Sequence, residues 1–400
     1  MSGAIVAALS GTGALAQDKV DRLEKENAEL KKRLDTLESV AQKEGLLPAE
    51  SSTTHIVKAA SQTTISGFVS TSYFYDTSTP KDNSPNGYLW SRTQNSFLLN
   101  KLKVTLASPA VERSGDKFDA AYRASLIWGQ DAPIVNTSNG FGGMEELREA
   151  YVELNIPIGT GLNVKAGELI SLLNFESGDG GVANPNFSQG NQWFFTGNPP
   201  NAGVNFGYTF NDWLSANVRV QNGLYAGAID NNGFKTLMGN VMIKPNDKLW
   251  IDLIGFGGRE GVNSGQWTDG GSILAGVKVN DKYNMNFATE LDYFSFPGAT
   301  KSSDVYSAGG WFWLDFTEKL GAALRADYIS DGNGAATGGL LGFPVNGGQD
   351  LYSLTLTLNW KPTPNTKIQP EIRYDHTSLK AGFDGVRDRI MIGTGVSYMF

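Results

Sequence analysis

The sequence predicts an all-β protein, a transmembrane antiparallel β-barrel of about sixteen strands preceded by an N-terminal α-helical coiled coil. Three observations carry that prediction. From Thr64 onward, segments of about eight to twelve residues alternate apolar and polar side chains, the period of two expected of a strand with unlike faces. The turns between them alternate short and long, as in barrels whose tight turns share one rim. Ahead of them, residues 20–41 space apolar side chains three and four apart, the seam along which helices wind together.

Composition supports the same class. The 400 residues include 48 glycines and 11% aromatics, yet mean hydropathy is only -0.25, too polar for a bundle of membrane helices. A barrel tolerates that polarity because every second residue faces its lumen. Beyond the first residues no apolar run reaches the roughly 18 to 20 residues that a spanning helix needs, which excludes a helical transporter. The chain has no cysteine, which fits an oxidising envelope where closure relies on backbone hydrogen bonds. A net charge of -8 without clustered Lys and Arg argues against a nucleic-acid partner.

In chain order, residues 1–16 carry a small-residue apolar segment ending Ala14-Leu15-Ala16, the pattern of a signal peptide or its remnant. Residues 17–44 follow as the coiled coil. Val20, Asn27, Leu34 and Ala41 fall at a, and Leu23, Leu30 and Leu37 at d, with a single Asn at a to fix register. Residues 45–63 are a Ser/Thr-rich linker opened by Gly45 and Pro48. Residues 64–400 form the barrel, from ISGFVSTSYFYD, with Ile65, Val69, Thr71, Tyr73 and Tyr75 on one face, to RIMIGTGVSYMF. The count of about sixteen is even, as single-chain bacterial barrels require. IPIGTG, TFNDW, KPNDK, VNDKY, FTEKL and KPTPNT are the tight turns of one rim. Connectors 76–94, 130–145, 170–202 and 332–350 are long and are expected outside the cell.

The alternation also assigns faces. In YVELN, NVKAG, NVRVQ and EIRYD the apolar set is Val152, Leu154, Val164, Ala166, Val218, Val220, Ile372 and Tyr374, which meets lipid. A Lys or Arg in its place would cost about 2 to 4 kcal/mol at the bilayer midplane. The alternates Tyr151, Asn217, Gln221 and Asp375 then point inward together with the expected pore-lining charges Glu153, Lys165, Arg219, Asp252, Glu290, Asp292, Arg325, Asp327, Glu371 and Arg373. Such an interior cannot be a dry core, so water is expected to fill it. Tyr73, Tyr75, Trp128, Tyr208, Trp213, Trp250, Tyr283, Tyr293 and Trp360 stand near strand ends, as two interfacial girdles. In the last strand Ile392, Thr394, Val396, Tyr398 and Phe400 alternate on one face, and Tyr398 with Phe400 resembles the C-terminal signal read by barrel-insertion machinery.

ELREAYVELNIPIGTGLNVKAGELISLLNFES, the following ANPNFSQGNQWFFTGNPPNAGV, and FLLNKLKVTLASPA resemble the putative beta-barrel porin family 2, over roughly Thr64 to Phe400. The resemblance implies a porin-like barrel in the outer membrane of a diderm bacterium. By analogy with other envelope proteins, the coiled coil would lie in the periplasm and reach toward peptidoglycan, extending about 35 to 40 Å at 1.5 Å per residue.

Connector 170–202 carries Phe175, Phe187, Trp193, Phe194 and Phe195 and is expected to fold into the mouth, with Glu168, Glu176, Asp179 and Trp193 as constriction residues. The expected function is a water-filled passive diffusion channel for ions and small hydrophilic solutes, embedded in outer-membrane lipid. It would be a homo-oligomer joined by the coiled coil, a trimer favoured over a dimer. The alternative is a structural outer-membrane to cell-wall tether with a plugged barrel. Residues 17–50 hold seven basic and nine acidic side chains, leaving -6 on the rest and pointing to cation preference. No catalytic motif occurs, the two histidines His55 and His376 fit no zinc or triad spacing, and no metal, cofactor or enzyme activity is expected.

Overall fold

The computed structural model describes Lys25, residues 28–34, Thr36, and residues 62–80, 83–85, 93–137, 145–230, 232–260, 266–296, 303–337, 348–380 and 382–400. The chain divides into two units, Met1–Thr63 and Thr64–Phe400. In the first, Lys25, residues 28–34 and Thr36 are helical. Arg33 pairs with Glu29 one turn back at 2.8 Å, and Leu30 and Leu34 are exposed. Residues 1–16, the seam positions Val20, Leu23, Asn27, Leu37 and Ala41, and residues 45–61 of the expected linker lie outside the described residues.

The second unit is a closed barrel of sixteen antiparallel strands. They are β1 (Thr64–Asp76), β2 (Ser96–Ala107), β3 (Asp119–Trp128), β4 (Leu147–Ile156), β5 (Leu162–Leu169), β6 (Asn201–Asn211), β7 (Leu214–Gln221) and β8 (Thr236–Asn246), then β9 (Leu249–Glu260), β10 (Gln266–Asn280), β11 (Met285–Phe296), β12 (Ser303–Asp315), β13 (Leu320–Asp331), β14 (Gln349–Thr363), β15 (Thr366–Thr377) and β16 (Asp388–Met399). Each strand pairs with its sequence neighbours, and β1 pairs with β16 to close the ring. Every strand edge inside the sheet is thereby satisfied, which a lipid environment demands. Gly67 and Phe400 exchange both backbone hydrogen bonds at 2.9 Å and complete the seam.

Tight turns follow the even strands, from two residues (212–213) to five (157–161). One departs from the expected rule: β2 and β3 are joined by residues 108–118 on the same rim. There Asn155 of β4 donates to the carbonyls of Ser114 and Lys117 at 2.8 Å, so the longer connector is tied back to the wall.

Side chains alternate as the pleat requires. Val152, Val218, Val220, Ile372 and Tyr374 lie exposed on the outer surface, while Arg219, Glu371, Arg373 and Asp375 are buried inside. Two expectations need correction. Trp250 is no member of an outer girdle, because β9 puts it in the inward set with Asp252, Ile254 and Phe256, and its ring stacks on Phe175 with centroids 6.3 Å apart. The interior is also not wet throughout. Met238, Ile254, Phe256, Leu274, Phe294, Val305, Ile329 and Leu351 face inward and bury against Leu173 and Phe195, with Leu224, Ala336 and Phe383 from other connectors. Burying that apolar set against loops releases the water it would otherwise order, at roughly 25 cal/mol per Å².

Candidate functional site: the lumen and the connector between β5 and β6

Residues 170–200 leave the rim of long connectors and enter the barrel, carrying a single 3-10 turn (Gly180–Val182) and a short helix (Asn191–Phe195). Their backbone polar groups are taken up by the wall, as buried amides and carbonyls must be. Glu290 of β11 accepts from the Phe175 amide at 2.8 Å and from Asn174 at 3.2 Å. Asp292 accepts from Gln192 at 2.8 Å and from Thr196 at 2.7 Å. Glu371 of β15 accepts from the amides of Phe187 and Ser188, the former at 2.8 Å, and from the Thr357 hydroxyl at 2.7 Å. Arg373 donates to the Gln189 carbonyl at 2.7 Å and to Asn191 at 2.8 Å. Lys367 donates to the carbonyls of Gly181 and Asn184 at 2.6 and 2.9 Å.

Arg325 is the centre of this docking. Its side chain is fully buried and meets Glu176 of the connector at 2.9 Å and Asp327 at 3.4 Å. It also donates to the Ser188 carbonyl and to Thr355. Glu176 in turn accepts from the Trp311 indole at 3.1 Å. Such a network holds because each charge has a partner; a buried guanidinium left alone would cost several kcal/mol. Space is made by glycines at inward positions. A Cβ on Gly309 would overlap Gln192, and one on Gly395 would overlap the Phe187 ring. That ring also stacks on Phe74 of β1, 5.6 Å between centroids.

At the edge of the connector Lys103 of β2 holds Asp179 at 2.7 Å. Burial alone would raise the Asp179 carboxyl, but Lys103 and Arg148 beside it hold it below the usual carboxylate range. Trp193 is half-buried in the short helix and packs against a buried cluster that includes Phe74, Ile127 and Phe187. Glu168 stands on the strand, one residue before its end. It belongs to β5, paired with Ala150 and Ala202, because the strand runs on to Leu169 before the connector begins.

Across the lumen, β8 and β9 meet the connector through the apolar cluster and Trp250, and polar contacts from β3 to β9 are fewer. One is made by Arg219, which donates to the Ile170 carbonyl at 2.7 Å. Below it runs a ladder of amides from strand to strand. Asn205 donates to Asn217 at 3.0 Å, Asn217 to Asn240 at 2.8 Å, and Asn240 to both oxygens of Asp252 at 2.8 and 3.0 Å. Glu153 accepts from Asn163 at 2.8 Å and stands 3.8 Å from Lys165, whose ammonium lies 4.8 Å from the Tyr151 ring centroid. Arg123, half-buried, pairs with Glu149 at 2.7 Å.

Of the ten charges read as inward, eight are buried and Glu153 and Lys165 are half-buried; six of them, Glu290, Asp292, Arg325, Asp327, Glu371 and Arg373, belong to the docked half of the wall. The sequence reading did not single out Lys103, Arg123, Lys367, Arg389, Trp311 or the seat glycines. Parity would have found them: Gly309 shares the inward set of Trp311, and Gly393 and Gly395 that of Arg389 and Ser397. Among the described residues no group of three or more His, Cys, Asp or Glu is placed to hold a metal ion.

A closed sixteen-strand antiparallel barrel with a long connector folded into its lumen is the architecture of outer-membrane porins. The chain belongs to the family described as "Putative beta-barrel porin-2, OmpL-like", which matches residues 62–400. Among solved structures it is similar to the outer membrane channel DcaP of Acinetobacter baumannii, with 12% identity and a TM-score of 0.54 over 84% of this chain and 97% of that one. It is likewise similar to the anion-selective porin from Comamonas acidovorans, at 11% identity and TM-score 0.54 over 84% and 99%. A trimer form of the outer membrane protein OmpT of Vibrio cholerae aligns at 9% identity and TM-score 0.55 over 84% and 99%. At these identities the likeness is one of fold. Comparison with curated proteins gives no match.

Proposed function

We propose that the protein is an outer-membrane porin, a water-filled passive diffusion channel for ions and small hydrophilic solutes with no catalytic role. The observation that carries this reading is the asymmetry of the lumen. Most polar contacts of the connector are made to β11 to β15, while Arg123 and Lys165 on the opposite wall keep side chains 39% and 29% exposed. Accessible charge inside a barrel calls for water around it, and sixteen strands give a cylinder wide enough for a channel. The ten inward charges would line or support that path, and Glu176, Asp179 and Trp193 would narrow it, with Glu168 at the strand end above.

The long-connector rim would face outside. Residues 1–16 would direct export, 17–44 would form a periplasmic coiled coil on linker 45–63, and Tyr398 with Phe400 would engage the insertion machinery. Exposure of Leu30 and Leu34, one helical turn apart, supports self-association through the seam. A homotrimer is favoured, in keeping with the trimer form of the Vibrio cholerae relative in fold. Contact with peptidoglycan belongs to the same reading of the helix.

The apolar cluster beneath the connectors favours a second reading, a plugged barrel serving as an envelope tether. Single-channel recording of the refolded full chain in a planar bilayer separates the two. Stepwise openings of reproducible size are expected; a correctly inserted but electrically silent barrel would replace the pore with the tether.

A further inference from the structure

The chain is acidic, yet the acids of its lumen are largely withdrawn from water. The side chains of Glu176, Asp327 and Asp375 are 0% exposed, each within a pair to a buried arginine. Glu290, Asp292 and Glu371 are buried as well, with Glu290, Glu371 and one oxygen of Asp292 accepting from amides and hydroxyls of the connector and wall.

On the opposite side Lys101, Lys103, Arg148 and Arg219 are buried, but three cations are not withdrawn. Arg113, Arg123 and Lys165 are 46%, 39% and 29% exposed, whereas the two carboxylates among them, Glu149 and Glu153, are 7% and 13% exposed. Glu153 is shared between two of these cations, at 3.8 Å from Lys165 and 3.9 Å from Arg113. Asp119, at the start of β3, is occupied by the backbone amides of Glu112 and Ala120. Deeper along the wall Lys101 and Lys103 face Asp131 and Asp179, with Arg148 and Arg219 as further positive charge. Toward the tight-turn rim Lys361 is 42% exposed beside Asp315 at 26%, whereas Lys278 at 37% and Lys248 at 56% share the more exposed Asp281 at 61%, so this rim carries no excess of accessible cations.

We infer that the aqueous path follows the β3 to β5 wall and prefers anions, small inorganic anions and carboxylates, against the sign of the whole chain. This rests on the pore reading. An anion passing Lys165 and Arg123 meets two cations more accessible than the carboxylates paired with them, while at the rim Arg113 stands beside Glu112, 67% exposed and itself paired with Lys117. On the far wall Glu176, Asp327 and Asp375 are paired with buried arginines, and Glu290, Asp292 and Glu371, held by neutral donors, are buried away from the aqueous path.

The experiment is the reversal potential of the full-length protein in a KCl gradient across a planar bilayer. Chloride permeating in excess of potassium is the expected result. The double variant Arg113→Gln with Lys165→Gln, which leaves Arg123 paired to Glu149, is expected to shift the ratio toward potassium by about threefold, as removal of two accessible charges from a selectivity lining should. Wild-type selectivity is also expected to fade between 0.1 and 1 M salt, as the screening length falls from about 10 Å to about 3 Å. A conducting but potassium-preferring channel overturns the inference and leaves the pore intact. An unchanged ratio in the double variant, or selectivity insensitive to salt, overturns its assignment to these residues. A silent barrel overturns the pore reading and this inference with it.

Discussion

Strands β3 to β5 and β13 to β15 obey the same alternation, yet their inner faces end in opposite situations. On β13 and β15 the arginines Arg325 and Arg373 are sealed under a connector and bonded to its carbonyls. On β3 and β5 Arg123 and Lys165 keep part of their surface in water. Alternation therefore decides only that a charge points inward. Whether it becomes mortar or lining depends on a segment that arrives from elsewhere in the sequence.

The sharpest way to break this comparison is to remove the centre of the docked wall. Arg325→Met leaves Glu176 and Asp327 buried without their cation, and breaking such a pair costs about 3 to 5 kcal/mol. The connector is expected to undock, with larger and noisier single-channel openings and new protease cuts within 170–200. Unchanged openings would mean that the connector is held chiefly by its aromatic contacts.

Glu371→Gln should act in the same direction with less force. It keeps an acceptor for the Phe187 amide but loses charge-assisted bonds worth about 1.5 to 3 kcal/mol each, measurable as a modest rise in loop proteolysis with conductance little altered. A weaker lever is acid. Because the Asp179 carboxyl is held below its ordinary range by Lys103 and Arg148, its contribution is complete above the unfolded value near 3.9 and is lost as pH falls through the lower folded value. Channel noise is expected to rise below about pH 4, and Asp179→Asn should show that noise at neutral pH and abolish the pH dependence.

On the open wall the same kind of change should cost almost nothing in stability. Lys165→Gln removes a partly exposed pair at 3.8 Å, worth about 0 to 1 kcal/mol. Its thermal unfolding should match the parent chain, and a marked loss would show that this wall too is structural.

The sixteen strands were legible because each has a lipid-facing set and an inward set, and the two differ in polarity over most of its length. The apolar lid of the lumen was legible by the same rule but was masked by attention to charge. Ile254 follows Asp252, Phe294 follows Asp292 and Ile329 follows Asp327 in the same inward set. The connector was recognisable as inward-folding from its aromatics, but its seat was not. Gly309 and Gly395 act by the absence of a side chain, and their partners Gln192 and Phe187 lie more than a hundred residues away. Trp250 shows the remaining ambiguity: a strand-end tryptophan suits either an interface or a lumen, and only its parity with Asp252 decides.

The seam between β1 and β16 joins residues such as Thr71 and Val396, 325 positions apart. Until the strand ending in Phe400 arrives, the amide and carbonyl of Gly67 have no partner on that side and the sheet has two bare borders. Bare borders recruit foreign strands, and distant pairings form late. A chain delayed one strand short of completion is therefore no narrower tube. It is an adhesive ribbon, and the last dozen residues decide which of the two the cell receives.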